Sequence, residues 1–243
     1  MTSIREILNP ISDNCTDEND NYTVDNLNPE IRLFQPTNYT VNLNQPLTNV
    51  IDISLESVEI PNSVISIGEN AFNDCTKLKH IILGSGIVEI GHIFNGTIIE
   101  NLDIPKNVQK IIRGTFSSMM SLQNINVAED NKWYTSVDGV LFNKSKTDLI
   151  RFPAGKGTDF NIPAGTEIVG PESFKNSKIL QAVSIPTSVK IIDYRSFEGS
   201  GIKEVIIPEG VETIGNSAFV RSDDLVNVML PKSLKNHGLP TLP

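Results

Sequence analysis

Val205-Ile206-Ile207-Pro208-Glu209-Gly210-Val211-Glu212-Thr213-Ile214-Gly215-Asn216-Ser217-Ala218-Phe219 is a second writing of Val58-Glu59-Ile60-Pro61-Asn62-Ser63-Val64-Ile65-Ser66-Ile67-Gly68-Glu69-Asn70-Ala71-Phe72, with the apolar, Pro, Gly and Ala-Phe positions in the same places. Self-similarity of this kind marks a repeat array, in which each unit buries its apolar face against its neighbours. Indexed on the apolar residue that closes each Leu-x-x-Ile-x-Ile strand, the array runs Ile60, Leu83, Ile104, Val127, Ile162, Ile185, Ile207 and Leu230. The spacings are 23, 21, 23, 35, 23, 22 and 23, so one period holds throughout and the fourth gap carries an insertion. The pattern predicts an elongated solenoid over residues 55–234.

Each unit has the same internal grammar. Its strand is closed by proline at Pro61, Pro105, Pro163, Pro186, Pro208 and Pro231, which lacks an amide hydrogen and turns the chain at a corner. A short second strand follows, such as residues 64–67 or 211–214. Gly68, Gly91, Gly170 and Gly215 are expected to bend tightly after it. A short helical turn with a small residue and a phenylalanine then completes the coil. Phe72, Phe94, Phe116, Phe174, Phe197 and Phe219 share that register, which predicts a buried spine of rings rather than a binding stripe.

Outside the array, residues 1–30 are polar, with Glu6, Asp13, Asp17, Glu18, Asp20, Asp25 and Glu30 set against Arg5; they read as a flexible acidic tail. Residues 31–54 alternate at period two, as in Tyr39-Thr40-Val41-Asn42-Leu43, and read as strands capping the first coil. Within the insertion, about residues 128–159, Asp138-Gly139 stands between apolar stretches and predicts a hairpin that stays paired with the sheet. Trp133 and Tyr134 are expected to pack that hairpin onto its coil. Residues 235–243 form a C-terminal tail where the repeat breaks off.

Composition excludes several functions. No run of 18 or more apolar residues is present to span a bilayer, and Met1-Thr2-Ser3-Ile4-Arg5-Glu6 does not read as a secretory signal. The net charge is −9, most of it in the acidic tail, so no basic stripe exists to bind nucleic acid. Cys15 and Cys75 make no disulfide framework. His80, His92 and His237 do not pair as metal ligands, and His80 falls at an outward strand position. Gly155-Lys156-Gly157-Thr158 lacks the earlier glycine of a phosphate loop, where Ile150 stands. No serine or cysteine has a base that the sequence places beside it. The expectation is a chain without catalytic, metal or cofactor chemistry.

The pattern Ile-Pro-x-x-Val-x-x-Ile-Gly-x-x-Ala-Phe-x-x-Cys-x-x-Leu-x-x-Ile, nearly complete from Ile60 through Cys75 and Leu78 to Ile81, resembles the BspA-like leucine-rich repeats. The stretch from Tyr134 to Phe142, followed by Arg151-Phe152-Pro153-Ala154-Gly155-Lys156, is similar to an insertion common in that family. The resemblance implies a right-handed leucine-rich-repeat solenoid, mainly β, with parallel sheet on one face. It also implies protein binding, frequently as a cell-surface adhesin. Members at bacterial surfaces carry an export signal, which these first residues do not show. Residues 38–63 also resemble an N-terminal β segment of large-DNA-virus structural proteins.

In a solenoid the binding surface is expected on the outer side of the sheet. The outward column reads Glu59, Ile82, Asp103, Asn126, Asn161, Ser184, Ile206 and Met229, polar early and apolar late, with Val226 placed on the same side as Met229. The apolar end either contacts a partner or is covered by residues 235–243. Two functions remain open: an adhesin-like module recognising a protein partner through this face, or a component of a virion or other assembly that self-associates through the N-terminal segment or the C-terminal coil.

Overall fold

A computed structural model describes residues 30–34, 38–42 and 55–237. The expected tail and most of the expected cap lie outside these residues. The elements in chain order are β1 (Glu30–Phe34), β2 (Asn38–Asn42), β3 (Ser57–Glu59), β4 (His80–Ile82), β5 (Glu89–Ile90), β6 (Asn101–Ile104), β7 (Lys110–Ile111), β8 (Asn124–Val127), β9 (Tyr134–Val137), β10 (Val140–Asn143), β11 (Asp148–Arg151), β12 (Asp159–Asn161), β13 (Ile168–Val169), β14 (Ala182–Ser184), β15 (Ile191–Ile192), β16 (Glu204–Ile206), β17 (Thr213–Ile214), β18 (Asn227–Met229) and β19 (Asn236–His237). The chain winds as a β-solenoid, and eight coils each give one strand to a first face: β3, β4, β6, β8, β12, β14, β16 and β18. Its pairs β3·β4, β6·β8, β12·β14, β14·β16 and β16·β18 are parallel. The second strands build the other face, where β11, β13, β15, β17 and β19 pair in parallel. At the N-terminal edge, β1 pairs antiparallel with both β2 and β3.

The expected helical turns are not there. The described residues contain no helix, and Phe72, Phe116, Phe174, Phe197 and Phe219 sit in tight turns. The reason is where the corner amides go. Phe72, Phe174 and Phe197 donate their N–H to Ile93, Ser196 and Ala218 of the next coil, at 3.0, 2.7 and 2.8 Å. A helix would need those donors for bonds within its own turn. In four of the six corners two residues also take left-handed backbone, four positions apart: Asn70 and Asp74, Glu172 and Asn176, Arg195 and Gly199, Ser217 and Arg221, with φ from 52° to 63°. That conformation interrupts any helix and costs a non-glycine residue roughly 1–2 kcal/mol.

The glycines expected to make the bend act differently. Gly170 and Gly215 show no positive φ; a Cβ at Gly170 would lie 2.6 Å from the Leu149 carbonyl oxygen, and one at Gly215 2.5 Å from the Tyr194 nitrogen. They are places where adjacent coils touch. Gly91 has room, its nearest neighbour being an Ile112 side-chain carbon at 3.9 Å.

The phenylalanine spine is real but broken. Phe72 stacks on Phe94 at 6.2 Å, and a second column runs Phe152, Phe174, Phe197, Phe219 with centroids 5.2, 4.7 and 5.2 Å apart. Phe152, from the insertion, heads the second column. Phe116 is buried in the first core cluster. The break coincides with a division of the core. One buried cluster extends from Leu55 to Ile125 and includes Leu141; the other includes Val140 and Phe142 and continues to Leu225. Since alternate side chains of a strand face opposite ways, the apolar run in β10 serves both clusters and forms the wall between them.

The insertion folds as the Asp138-Gly139 signal predicts. Strands β9 and β10 pair antiparallel across a two-residue turn with φ of 49° and 73°, the mirror-image turn that suits strand twist. β10 then pairs antiparallel with β11, which joins the second sheet. Of the two aromatics, only Tyr134 packs as expected. Tyr134 packs against the first cluster, while Trp133 is 39% exposed. The Tyr134 hydroxyl accepts the Ile111 N–H at 3.1 Å, and burial raises its pKa so that the phenol stays neutral. Tyr134→Phe strips a partly buried amide of its acceptor and is expected to cost about 1–2 kcal/mol in urea denaturation; an unchanged midpoint would show that water replaces the hydroxyl.

Candidate functional site

Register sets the predicted outward residues side by side in pairs, on either side of the insertion. Glu59 stands opposite Ile82, Asp103 opposite Asn126, Asn161 opposite Ser184 and Ile206 opposite Met229. Between Asn126 and Asn161 the column is interrupted. Gly139 in the hairpin turn accepts the Ile125 N–H at 2.8 Å, and Gly155 donates its own N–H to the Leu122 carbonyl at 2.8 Å, so the insertion occupies the edge where β8 would meet β12.

The halves differ in chemistry. In the first, Asn126 Nδ2 donates to Asp103 Oδ1 at 2.8 Å and Asn124 Nδ2 to Asn101 Oδ1 at 2.9 Å, while Lys156 Nζ donates to Asn124 Oδ1 at 3.2 Å. These polar groups satisfy one another, leaving Ile82 as the exposed apolar residue among them. In the second half, Ser184 gives way to Ile206 and Met229, which are 63% and 55% exposed.

Val226 does not belong to this column. It is 86% exposed, as the outward reading expects, but it precedes β18 and stands outside the strand register. Leu230, the strand-closing position that is buried in coil after coil, is 50% exposed here. Nor do the described residues of the C-terminal segment cover Ile206 and Met229. β19 pairs with β17, in the other sheet; residues 238–243 lie outside the described structure.

Glu209 ties the last two coils together. Its Oε1 accepts the Lys232 N–H at 3.0 Å and its Oε2 the Ser233 N–H at 3.2 Å. The Lys232 amide, followed by the Ser233 groups and the Lys232 charge, holds its carboxyl below the usual glutamate range, against a smaller opposing desolvation. A depressed folded pKa means that this tie is present above the unfolded value and is lost as pH falls through the folded one. Carbon-detected NMR titration should place the Glu209 midpoint below the ordinary glutamate value; a midpoint at or above it would remove the tie.

Among the described residues, no cluster of His, Cys, Asp and Glu could hold a metal ion, and no helix is long and apolar enough to cross a membrane. The wound coils, the parallel faces and the phenylalanine corners define a leucine-rich-repeat solenoid. The chain belongs to the BspA-type leucine-rich-repeat family, whose model matches residues 51–158 and 151–239. It is similar to a leucine-rich repeat protein from Eubacterium ventriosum, 29% identical with a TM-score of 0.62, over 72% of this chain and 54% of that one. It is also similar to the pneumococcal vaccine antigen PcpA, 27% identical with a TM-score of 0.61, over 77% and 55% of the two chains. A leucine-rich cell-surface protein from Faecalibacterium prausnitzii, 24% identical with a TM-score of 0.57 over 76% and 59%, shares the fold. The match thus spans little more than half the length of these structural relatives. None of the three is a virus protein, and no curated protein matches the chain.

Proposed function

We propose that the chain is a non-catalytic recognition module that engages a protein partner through the outer side of its first face, at the last coils, as part of a surface-displayed adhesin or antigen. The observation that carries this reading is the side-by-side pair Ile206 and Met229, more than half exposed at a column position held by polar residues in five of the other six coils. Exposed apolar residues gathered on a regular sheet suit a contact surface, because a partner gains their burial without having to reshape the module. The likeness to the vaccine antigen PcpA supports the antigen reading.

Ile206→Asp combined with Met229→Asp tests the site. Two charges placed at the centre of a contact should weaken partner capture at least about tenfold. Circular dichroism and the melting temperature should not change, because both side chains already face water. Capture that survives the double substitution would move the site elsewhere. A light-scattering mass that grows with concentration, and shrinks when residues 1–50 are deleted, would favour an assembly component instead.

A further inference from the structure

The interruption made by the insertion opens a cleft of about 380 Å³ on the second face, between the third coil and the fifth. These corners meet directly, as the bond from Asn176 Nδ2 to the Ser117 carbonyl at 3.0 Å shows. Arg151 lines the cleft and is itself only 3% exposed. Its Nη1 donates to the Glu172 carbonyl oxygen at 2.9 Å, whereas Nε and Nη2 have no partner among the described residues. Burial lowers its pKa to about 10, partly offset by the Glu172 charge, so it remains a cation. A buried guanidinium with two unmade hydrogen bonds is costly unless something else supplies the acceptor.

The other charged groups of the lining narrow what that is. Asp148, Asp193 and Glu172, whose Oε2 also pairs with Lys175 Nζ at 3.4 Å, line the cleft along with Arg151 and Arg113. A free anion would meet three carboxylates, and a free cation two guanidinium groups. A small molecule carrying both charges is favoured by both sets. We propose that this cleft binds a zwitterion of the α-amino-acid class, its carboxylate on the Arg151 guanidinium and its ammonium among Asp148, Glu172 and Asp193. The volume is in the range of small-ligand sites, and a carboxylate is the acceptor that a guanidinium fork pairs with best.

Isothermal titration calorimetry on the full chain with glycine, L-alanine and L-leucine tests this, with acetate and ethylammonium as the separate halves. At least one amino acid should bind with a Kd below about 1 mM, and each half at least about tenfold more weakly. Arg151→Gln should weaken binding about tenfold or more, and so should Asp148→Asn, a half-buried isosteric change that keeps the fold testable if the first variant does not fold. No binding of any of the three at about 10 mM, acetate binding as tightly as the amino acids, or binding indifferent to the substitutions would each overturn the proposal. The outcome is independent of partner capture by the first face.

Discussion

Phe197→Ala is expected to destabilise the chain by about 3–5 kcal/mol, a large share of the stability of a typical domain. The ring is fully buried between Phe174 at 4.7 Å and Phe219 at 5.2 Å, with interplanar angles of 5° and 9°. Two causes add. Truncation removes a large apolar surface from burial, and the cavity cannot collapse, because the corner amides fix the spacing of the coils. Each coil is held chiefly by its neighbours, so the damage should spread to both sides. Urea denaturation followed by circular dichroism measures it. A loss under about 1 kcal/mol would mean that the stacked rings do not hold the coils together.

Gly201→Ala should rival it by the opposite mechanism. Gly201 enters the strand that leads to β16, and a Cβ there would overlap the Lys178 carbonyl oxygen, with the Lys178 carbonyl carbon at 2.8 Å and the Leu180 oxygen at 3.2 Å. All three are backbone atoms of the preceding coil. No side chain can turn aside, so the coils must separate, and their bond from Gly201 N–H to the Ser177 carbonyl must lengthen from 3.1 Å. A cost of about 3 kcal/mol or more follows. Gly157→Ala is the matched control, since nothing lies within 4 Å of its added carbon. Equal stability of the two variants by denaturation would contradict the close packing of these coils.

Much of the architecture is legible because a repeat states each rule several times. The period, the proline corners and the Asp138-Gly139 turn each reflect a local backbone requirement, and local requirements leave a residue signature. What escaped reading lacks one. Glu172 and Arg195 hold left-handed backbone although their residue types do not favour it; their N–H groups bond to Tyr194 and Asn216 of the next coil. Phe152 enters the ring column from an insertion whose register the period does not define. The run Val140-Leu141-Phe142 looks like one more strand, and only its position between two cores gives all three side chains burial. Of the candidate site, the pairing of Ile206 with Met229 was readable from the period. The interruption between Asn126 and Asn161 depends on where the hairpin turn lands. The Arg151 cleft gathers residues from 111 to 193, so no stretch of sequence displays it.

The central claim is that the outer side of the last coils is the contact surface. Hydrogen–deuterium exchange of the chain, with and without the partner it captures, tests that claim most directly. The account predicts added protection in β16 and β18 and at the residues that flank them, with β13, β15 and β17 exchanging as before. Protection confined to the second face, or absent from β16 and β18, would contradict it.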